Sequence, residues 1–348
     1  MKLGWRAWLG IVLSAALLWW VFHRIDWALA AQHIRRANIG LLALSAIAAT
    51  GIFPLRARRW RTILEPVEAG IPFGPLWHAT AIGMMINNVA PARAGELARA
   101  YALSRERPAV PFSTAFASLA VDRVFDAVVV LGLMFLAMSL PSFPAAAVSS
   151  NPALAHAATG GLLFVALVII GLYVFVFFPE RIIGLFELLA RRVAPSVEAR
   201  GRVILHSFAD GLGVLRHPGR FLAVLWWAVL HWLLNAFAFW LAFRAVGITS
   251  PFATALFLQG LIAIGVALPV APGFFGAFEL AGQLGLGVYG VEPSLAATWA
   301  ISFHVLSFIP ITVLGAWYFV RAGLSFGELT GAGRGADGGA ARPAADEQ

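Results

Sequence analysis

The sequence contains no cysteine, so disulfides, thiol catalysis and cysteine-based metal sites are excluded from its chemistry. It is also poor in charge. Only 12% of its residues are charged against 60% hydrophobic, where a soluble domain carries about 25% charged residues. That leaves too little polar surface for water, and a soluble fold is excluded. No zinc or phosphate-loop spacing is present, and no nucleophile–base pair is recognisable. No cofactor is implied. The apolar runs lack alternating polar positions, which excludes a β-barrel. No small-residue cleavage site follows Trp20, so the run after Met1, Lys2 and Arg6 reads as a retained first span.

What the chain does have is length of uncharged sequence. The runs Ala7 to Phe22, Ile39 to Leu55, Ala127 to Pro179, Phe221 to Phe243, Ala245 to Phe278 and Pro293 to Val320 carry no acidic or basic residue apart from histidine. A bilayer span needs roughly 20 apolar residues, and the longest runs hold two. The fold class predicted is all-α: a polytopic helical membrane protein of about six full spans. The net charge of +8 comes from arginines, which report topology before they report nucleic acid. Clusters at Arg56 to Arg61, Arg93 to Arg107 and Arg181 to Arg220 place those segments in the cytoplasm, and Arg321 begins an internal tail. The segment Pro141 to Leu154, uncharged with three prolines, reads as an external loop. The stretch from Glu180 to Arg220 reads as an amphipathic interfacial helix. The loop Arg24 to Asn38 holds arginines yet falls outside, against the rule.

These assignments leave Ile71 to Arg107 entering and leaving on the cytoplasmic side and Pro251 to Gly290 on the outer side. Each is broken near its middle by proline, so both read as re-entrant hairpins of opposite orientation. They also resemble each other: Pro72-Phe73, Pro91, Gly95 and Glu96 in the first; Pro251-Phe252, Pro272, Gly276 and Glu279 in the second. Interrupted segments at corresponding places in two halves are the pattern of an inverted-repeat transporter, although loops of similar composition would share the spacing. The predicted organisation is a transmembrane domain over 1–326 and a Gly/Ala-rich disordered cytoplasmic tail over 327–348.

Charge inside the membrane marks the candidate site. Asp122 falls roughly 15 Å into a span that starts near Phe112, near the bilayer centre, with Arg123 and Asp126 just beyond it. Asp122 and Asp126 share a helical face with Arg123 beside it, which suggests a mutually dependent network that is either functional or a structural lock. Asn87, Asn88, Arg93, Glu96 and Arg99 surround the first break. Arg93, Glu96 and Arg99 recur at three-residue spacing on one face, where an arginine fork suits a lipid phosphate, although such arginines commonly snorkel to the interface. Glu279, beyond the second break at Pro272, Gly273 and Gly276, stands to carry a proton or hold Arg93 or Arg99. His231 and His304 read as hydrogen-bonded packing residues.

Jointly these motifs resemble the flippase-like transmembrane domain family typified by the membrane half of lysylphosphatidylglycerol synthetase. The matching pieces are Arg56-Ala57-Arg58-Arg59-Trp60-Arg61, Asn87 through Arg99, Asp122-Arg123-x-x-Asp126, and Pro269-x-x-Pro272-Gly273-x-x-Gly276-x-x-Glu279, in the family's order. The family's second tip usually reads Pro-Gly-Gly, whereas Phe274 follows Gly273 here. The resemblance implies handling of polar lipids: aminoacylated phospholipids and, in relatives, polyprenyl-linked or hopanoid lipids. The soluble aminoacyl-transferase domain would follow the membrane part, and without it the chain is not expected to make the lipid itself.

The expectation is a lipid translocase, not an enzyme, multi-pass in a bacterial cytoplasmic (inner) membrane with both termini inside. Its partners are membrane lipids and, in one reading, a lipid biosynthetic enzyme; nucleic acid is not among them. The alternatives are an integral-membrane enzyme acting on a lipid head group, with Asp122, Asp126 or Glu96 as acid–base groups, and a non-catalytic partner of an envelope-lipid complex.

Overall fold

A computed structural model describes residues 25–90, 94–146, 178–193, 217–267 and 272–325, with isolated positions elsewhere. Within these residues the chain is helical and contains no strand. In chain order the helices are α1 (Trp27–Arg36), α2 (Ile39–Leu64), α3 (Phe73–Val89), α4 (Gly95–Glu106), α5 (Phe112–Ser139), α6 (Pro179–Val193), α7 (Pro218–Val246), α8 (Phe252–Gly265), α9 (Ala277–Val288) and α10 (Pro293–Arg321). A short 3-10 turn, Pro272–Phe274, precedes α9.

Local signals account for where the helices begin. Asp26 caps α1 by accepting from the Ala28 and Leu29 amides, both at 3.0 Å, and Asn38 caps α2 by accepting from Leu41. Prolines 72, 111 and 251 stand just before α3, α5 and α8, and Pro218 and Pro293 open α7 and α10, where a missing N–H costs nothing. Gly247 closes α7 at φ 93°, a left-handed cap that suits glycine.

Helices α2, α7 and α10, of 26, 29 and 29 residues, are long and apolar enough to cross a bilayer. Helix α5 has comparable length, 28 residues, but carries Asp122, Arg123 and Asp126 in its body. Large apolar side chains remain exposed on this set, with Ile47 at 68%, Trp226 at 62% and Val313 at 62%. Such outward apolar faces suit a lipid solvent. Two expected spans, Ala7 to Phe22 and the one after Leu154, fall largely outside the described residues, as does most of the tail from residue 327. Glu328 is described and accepts from Arg105 Nη1 at 2.9 Å.

The segment read as a loop from Arg24 to Asn38 is largely helix α1. It is too short and too polar to register as an apolar run, but it is amphipathic and buries Ala30, clustering with Ile25 and Ala297. Helix α6 occupies the first part of the stretch predicted to be amphipathic, with Ile183 and Ala190 buried and Leu185, Leu188 and Leu189 exposed.

The packing pattern repeats. The set α2–α3–α4–α5 and the set α7–α8–α9–α10 have matching lengths, and the two long helices α2 and α7 lie against one another. In each set the middle pair forms a helical hairpin: α3 on α4, and α8 on α9. Each hairpin then crosses to the other set, α3 packing on α10 and α8 on α5. Glycines permit both crossings. Gly315 of α10 lies against the backbone of Ala81 in α3, and Gly260 of α8 against Met134 in α5. Two apolar cores follow, one around Trp60, Ile63, Leu64 and Leu103, the other around Phe239, Phe243, Trp299 and Phe303.

Candidate functional site

The site begins on one face of α2. Arg56, Arg59 and Trp60 stand three and four residues apart and point together at α5. On α5, Ser118, Asp122 and Asp126 recur every fourth residue on the facing side. Arg59, fully buried, reaches both carboxylates: its Nη2 lies 2.6 Å from Asp122 Oδ1 and its Nη1 2.8 Å from Asp126 Oδ1. Arg56 Nη2 lies 3.3 Å from Asp126 and 3.6 Å from Asp122. From α4, Arg99 Nη1 donates to Asp122 Oδ2 at 3.3 Å while its guanidinium lies 4.2 Å from the centre of the Trp60 ring. Trp60 in turn donates to Ser118 at 2.7 Å. From α7, Trp232 donates to Asp126 at 3.1 Å, and His231 Nδ1 lies 3.6 Å from the same carboxylate.

Asp122 and Asp126 therefore do share a buried face, but their main partner is not Arg123. At 100° per residue the Arg123 side chain turns away from that face; it is 41% exposed, pairs with Glu96 of α4, and lies 3.5 Å from Asp126. The buried cations are Arg56, Arg59 and Arg99, three guanidiniums against two carboxylates in this cluster. Among the described residues Arg56 Nε and Arg99 Nε and Nη2 have no hydrogen-bond acceptor.

Arg93 lies outside the described residues. Glu96 and Arg99 both turn toward α5, so Arg99 is 4% exposed and bonded to Asp122 rather than presented on an open face. Asn87 Oδ1 accepts from the Gly95 amide at 2.9 Å and pins the two arms of the first hairpin; Asn88 donates to Thr312 of α10 at 2.7 Å.

The second break is built around Glu279. Its Oε2 accepts from the Gly276 amide at 2.7 Å, closing the start of α9, and its Oε1 lies 2.6 Å from His304 Nδ1. No arginine pairs with it among the described residues. His304, on α10, also places Nε2 2.8 Å from the Gly273 carbonyl oxygen. Pro272 starts the turn, and Gly273, Phe274 and Gly276 have φ of 70°, 62° and 87°. Phe274 thus takes a backbone conformation that a second glycine would adopt without strain.

Between the two helix sets lies a cavity of about 880 Å³. Arg56, Arg123, Asp126, His231 and Trp232 contribute one polar region of its wall. Asn88, Asn235, Gln259, Ser307, His304 and the Gly273–Phe274 tip contribute the others, and most of the remaining wall is aliphatic or aromatic. No cluster of three metal-ligating side chains occurs among the described residues.

Arg56, Arg59, His231 and His304 were not singled out as site residues from sequence. Their signal was present: two membrane-depth aspartates need cations beyond one neighbouring arginine, and Arg56 and Arg59 follow directly on an apolar run.

Comparison with known proteins bears on what this cavity belongs to. A 26% identity over 302 residues links the chain to a UPF0104 membrane protein of Methanothermobacter thermautotrophicus, covering 79% of this chain and 81% of that one. A second such protein from the same organism is 25% identical over 320 residues, covering 88% and 90%. A 97-residue segment, 28% of this chain, is 40% identical to the glycosyltransferase AglD of Haloferax volcanii, of which it spans 15%. No solved structure matches the chain. The model of the lysylphosphatidylglycerol synthase TM region matches residues 7–315. Covering that much of the sequence, the match makes this multi-pass membrane protein a member of the lysylphosphatidylglycerol synthase transmembrane-region family.

Proposed function

We propose that the protein is a lipid translocase that takes an anionic lipid head group into the cavity between its two helix sets while the hydrocarbon chains stay against apolar walls and the bilayer. One observation carries this reading. A cluster of three buried arginines and two buried aspartates holds a surplus cation, and Arg56, with a guanidinium N–H unaccepted among the described residues, stands on the cavity wall. A buried charge without a counter-charge is costly, and a phosphate or phosphate-like group would relieve it through charge-assisted hydrogen bonds. The family description supports an aminoacylated phospholipid as one candidate, a polar lipid held through its anionic phosphate; a polyprenyl- or hopanoid-linked lipid with a phosphate or similar group fits the same cavity chemistry.

In this reading α2, α5, α7 and α10 are spans, two further spans bring the total to about six, and the hairpins α3–α4 and α8–α9 re-enter from opposite faces of a bacterial cytoplasmic membrane with both termini inside. The repeated, crossed packing of the two sets supports an inverted repeat. The protein acts on lipid position rather than on lipid bonds, so it is not an enzyme.

Leaflet exchange of a labelled phosphate-bearing lipid in proteoliposomes tests this. Arg56→Lys keeps the charge but loses the planar fork, and should slow exchange at least about tenfold with the fold intact, the equivalent of about 1.4 kcal/mol. Wild-type exchange by both Arg56→Lys and Arg56→Gln in well-folded protein would reject the head-group role. The partial similarity to a glycosyltransferase supports a second reading, a non-catalytic partner of a head-group biosynthetic enzyme, which would move no lipid and would co-purify with that enzyme.

A further inference from the structure

We propose that Glu279 and His304 form a proton-binding latch on the second hairpin: the protonated pair holds the tip closed over the cavity, and loss of one proton frees it. This rests on the translocase reading for its purpose and on the geometry of the tip for its mechanism.

The argument starts from what each atom can donate. The Gly273 carbonyl oxygen only accepts, so His304 Nε2, 2.8 Å away, must carry a hydrogen to bond it. On the other side of the ring, Nδ1 lies 2.6 Å from Glu279 Oε1, and one further proton must lie between them, on the ring or on the carboxyl. The two bonds together therefore require two protons on the pair. When one leaves for water in the cavity, the neutral imidazole keeps a single hydrogen beside a carboxylate. That hydrogen is drawn to Nδ1, and Nε2 then turns a lone pair toward the lone pairs of the Gly273 carbonyl. The tip loses its hydrogen bond to α10, and what holds it there is reduced to ring packing such as that of Phe275 on Phe308.

The tip is poised to move when released. Gly273 and Phe274 sit at φ of 70° and 62°, and the left-handed region is unfavourable for a residue with a side chain such as Phe274. Phe275 stacks on the His304 ring at 4.5 Å and Phe278 lies at 4.6 Å, so these rings shield the pair, while His304 and Phe274 still border the cavity. The other ionisable groups around the cavity are committed elsewhere. Helix α2 presents Arg56, α5 presents Arg123 and Asp126, and α7 presents His231, and all are tied to one another through Asp126. Helix α3 offers the neutral Asn88. Helix α1, also packed on α10, carries His33, Arg35 and Arg36 in its last turn, and Asp26 before it is committed to capping it. Among the described residues Glu279 is the ionisable partner bonded to His304.

The first hairpin has the matching contact with a different chemistry. Glu96, at the start of α4, pairs with Arg123 of α5 just as Glu279, at the start of α9, pairs with His304 of α10. Arg123 and His304 both stand 11 residues into their helices, counting from Phe112 and Pro293. The arginine contact keeps its charge without a movable proton, whereas the Glu279–His304 contact holds a proton that can pass to water. Of two equivalent contacts between a hairpin and its long helix, only the second responds to protons, which gives a two-sided transporter a directional input.

The absence of native cysteine makes the test direct. A single Ser307→Cys, on the cavity wall one turn from His304, is labelled with a charged, impermeant thiol reagent in proteoliposomes at about pH 5 and about pH 8, on either side of neutrality. Each rate is divided by that of the same cysteine in a His304→Arg background, and separately in a His304→Gln background, which removes the pH dependence of the thiol itself. The normalised rate should rise severalfold from acid to alkaline pH against both backgrounds, or against whichever one folds. A flat or falling ratio overturns the latch. Leaflet exchange measured in parallel separates the two ideas. Lipid movement with pH-independent labelling sinks the latch and leaves the translocase standing; pH-dependent labelling without lipid movement does the reverse.

Discussion

Arg59 and Arg123 illustrate how little separation along a helix pair decides an arginine's worth. Both reach Asp126, but Arg59 is fully buried and bridges Asp122 and Asp126 at 2.6 and 2.8 Å, whereas Arg123 is 41% exposed and shares itself between Glu96 and Asp126. Breaking a buried pair typically costs about 3–5 kcal/mol, here because both carboxylates lose their shortest contacts and are left with Arg56 and Arg99 at 3.3 Å or more, while a partly solvated pair is worth about 0–1 kcal/mol. Arg59→Met should therefore unfold in mixed micelles at markedly lower denaturant than wild type, and Arg123→Met should stay close to it. The sequence alone predicts the opposite emphasis, because Arg123 adjoins the aspartates in the chain and Arg59 does not. Equal losses for the two variants would show that burial is not what sets the strength of this network.

At the scale of elements, the hairpins were legible because their punctuation is local. Pro72 and Pro251 open α3 and α8 as the spacing predicts, and Gly95 and Gly276 stand where α4 and α9 start. What was not legible depends on tertiary neighbours. An arginine at the end of an apolar run looks the same whether it snorkels or turns inward, so Arg56 and Arg59 read as topology markers and Arg99 as a head-group ligand. His304 read as packing because its partner, Glu279, lies 25 residues away on another helix. Glycine at the first crossing carries a further, checkable constraint. A Cβ on Gly83 would lie 2.7 Å from the Gly95 carbonyl oxygen, and one on Gly95 would collide with the Gly83 carbonyl and the Asn87 amide. The two carbonyl oxygens belong to the backbone and cannot swing aside as a side-chain end can, so the arms must part. Gly95→Ala should lower unfolding stability by about 1–3 kcal/mol, as overpacking does. Gly132→Ala, with open space around it, serves as the control and should be neutral or better. A Gly95→Ala protein as stable as wild type would mean that α3 and α4 are not held this close.

Across the whole molecule, the repeated and crossed packing has a consequence for the two faces of the membrane. If the set α2–α5 and the set α7–α10 are inverted copies, the loop that leads into α3 and the loop that leads into α8 lie on opposite sides of the bilayer. Both loops offer a small, exposed residue for the test, Ala69 before the first hairpin and Thr249 before the second. Neither takes part in an ion pair of the site. The chain has no cysteine to confuse the result, so Ala69→Cys and Thr249→Cys can be made singly in the natural background. The arginines near the first hairpin that stay outside the buried cluster, Arg58, Arg61, Arg105 and Arg107, favour a cytoplasmic side for its loop by the positive-inside rule. An impermeant thiol reagent applied to intact spheroplasts should therefore label Thr249→Cys and spare Ala69→Cys, and after the membrane is opened both should react. Labelling of both from outside, or of neither, would place the hairpins on one face. The crossed contacts of α3 with α10 and of α8 with α5 would then describe a parallel repeat, and a site between two opposed entrances would lose its basis.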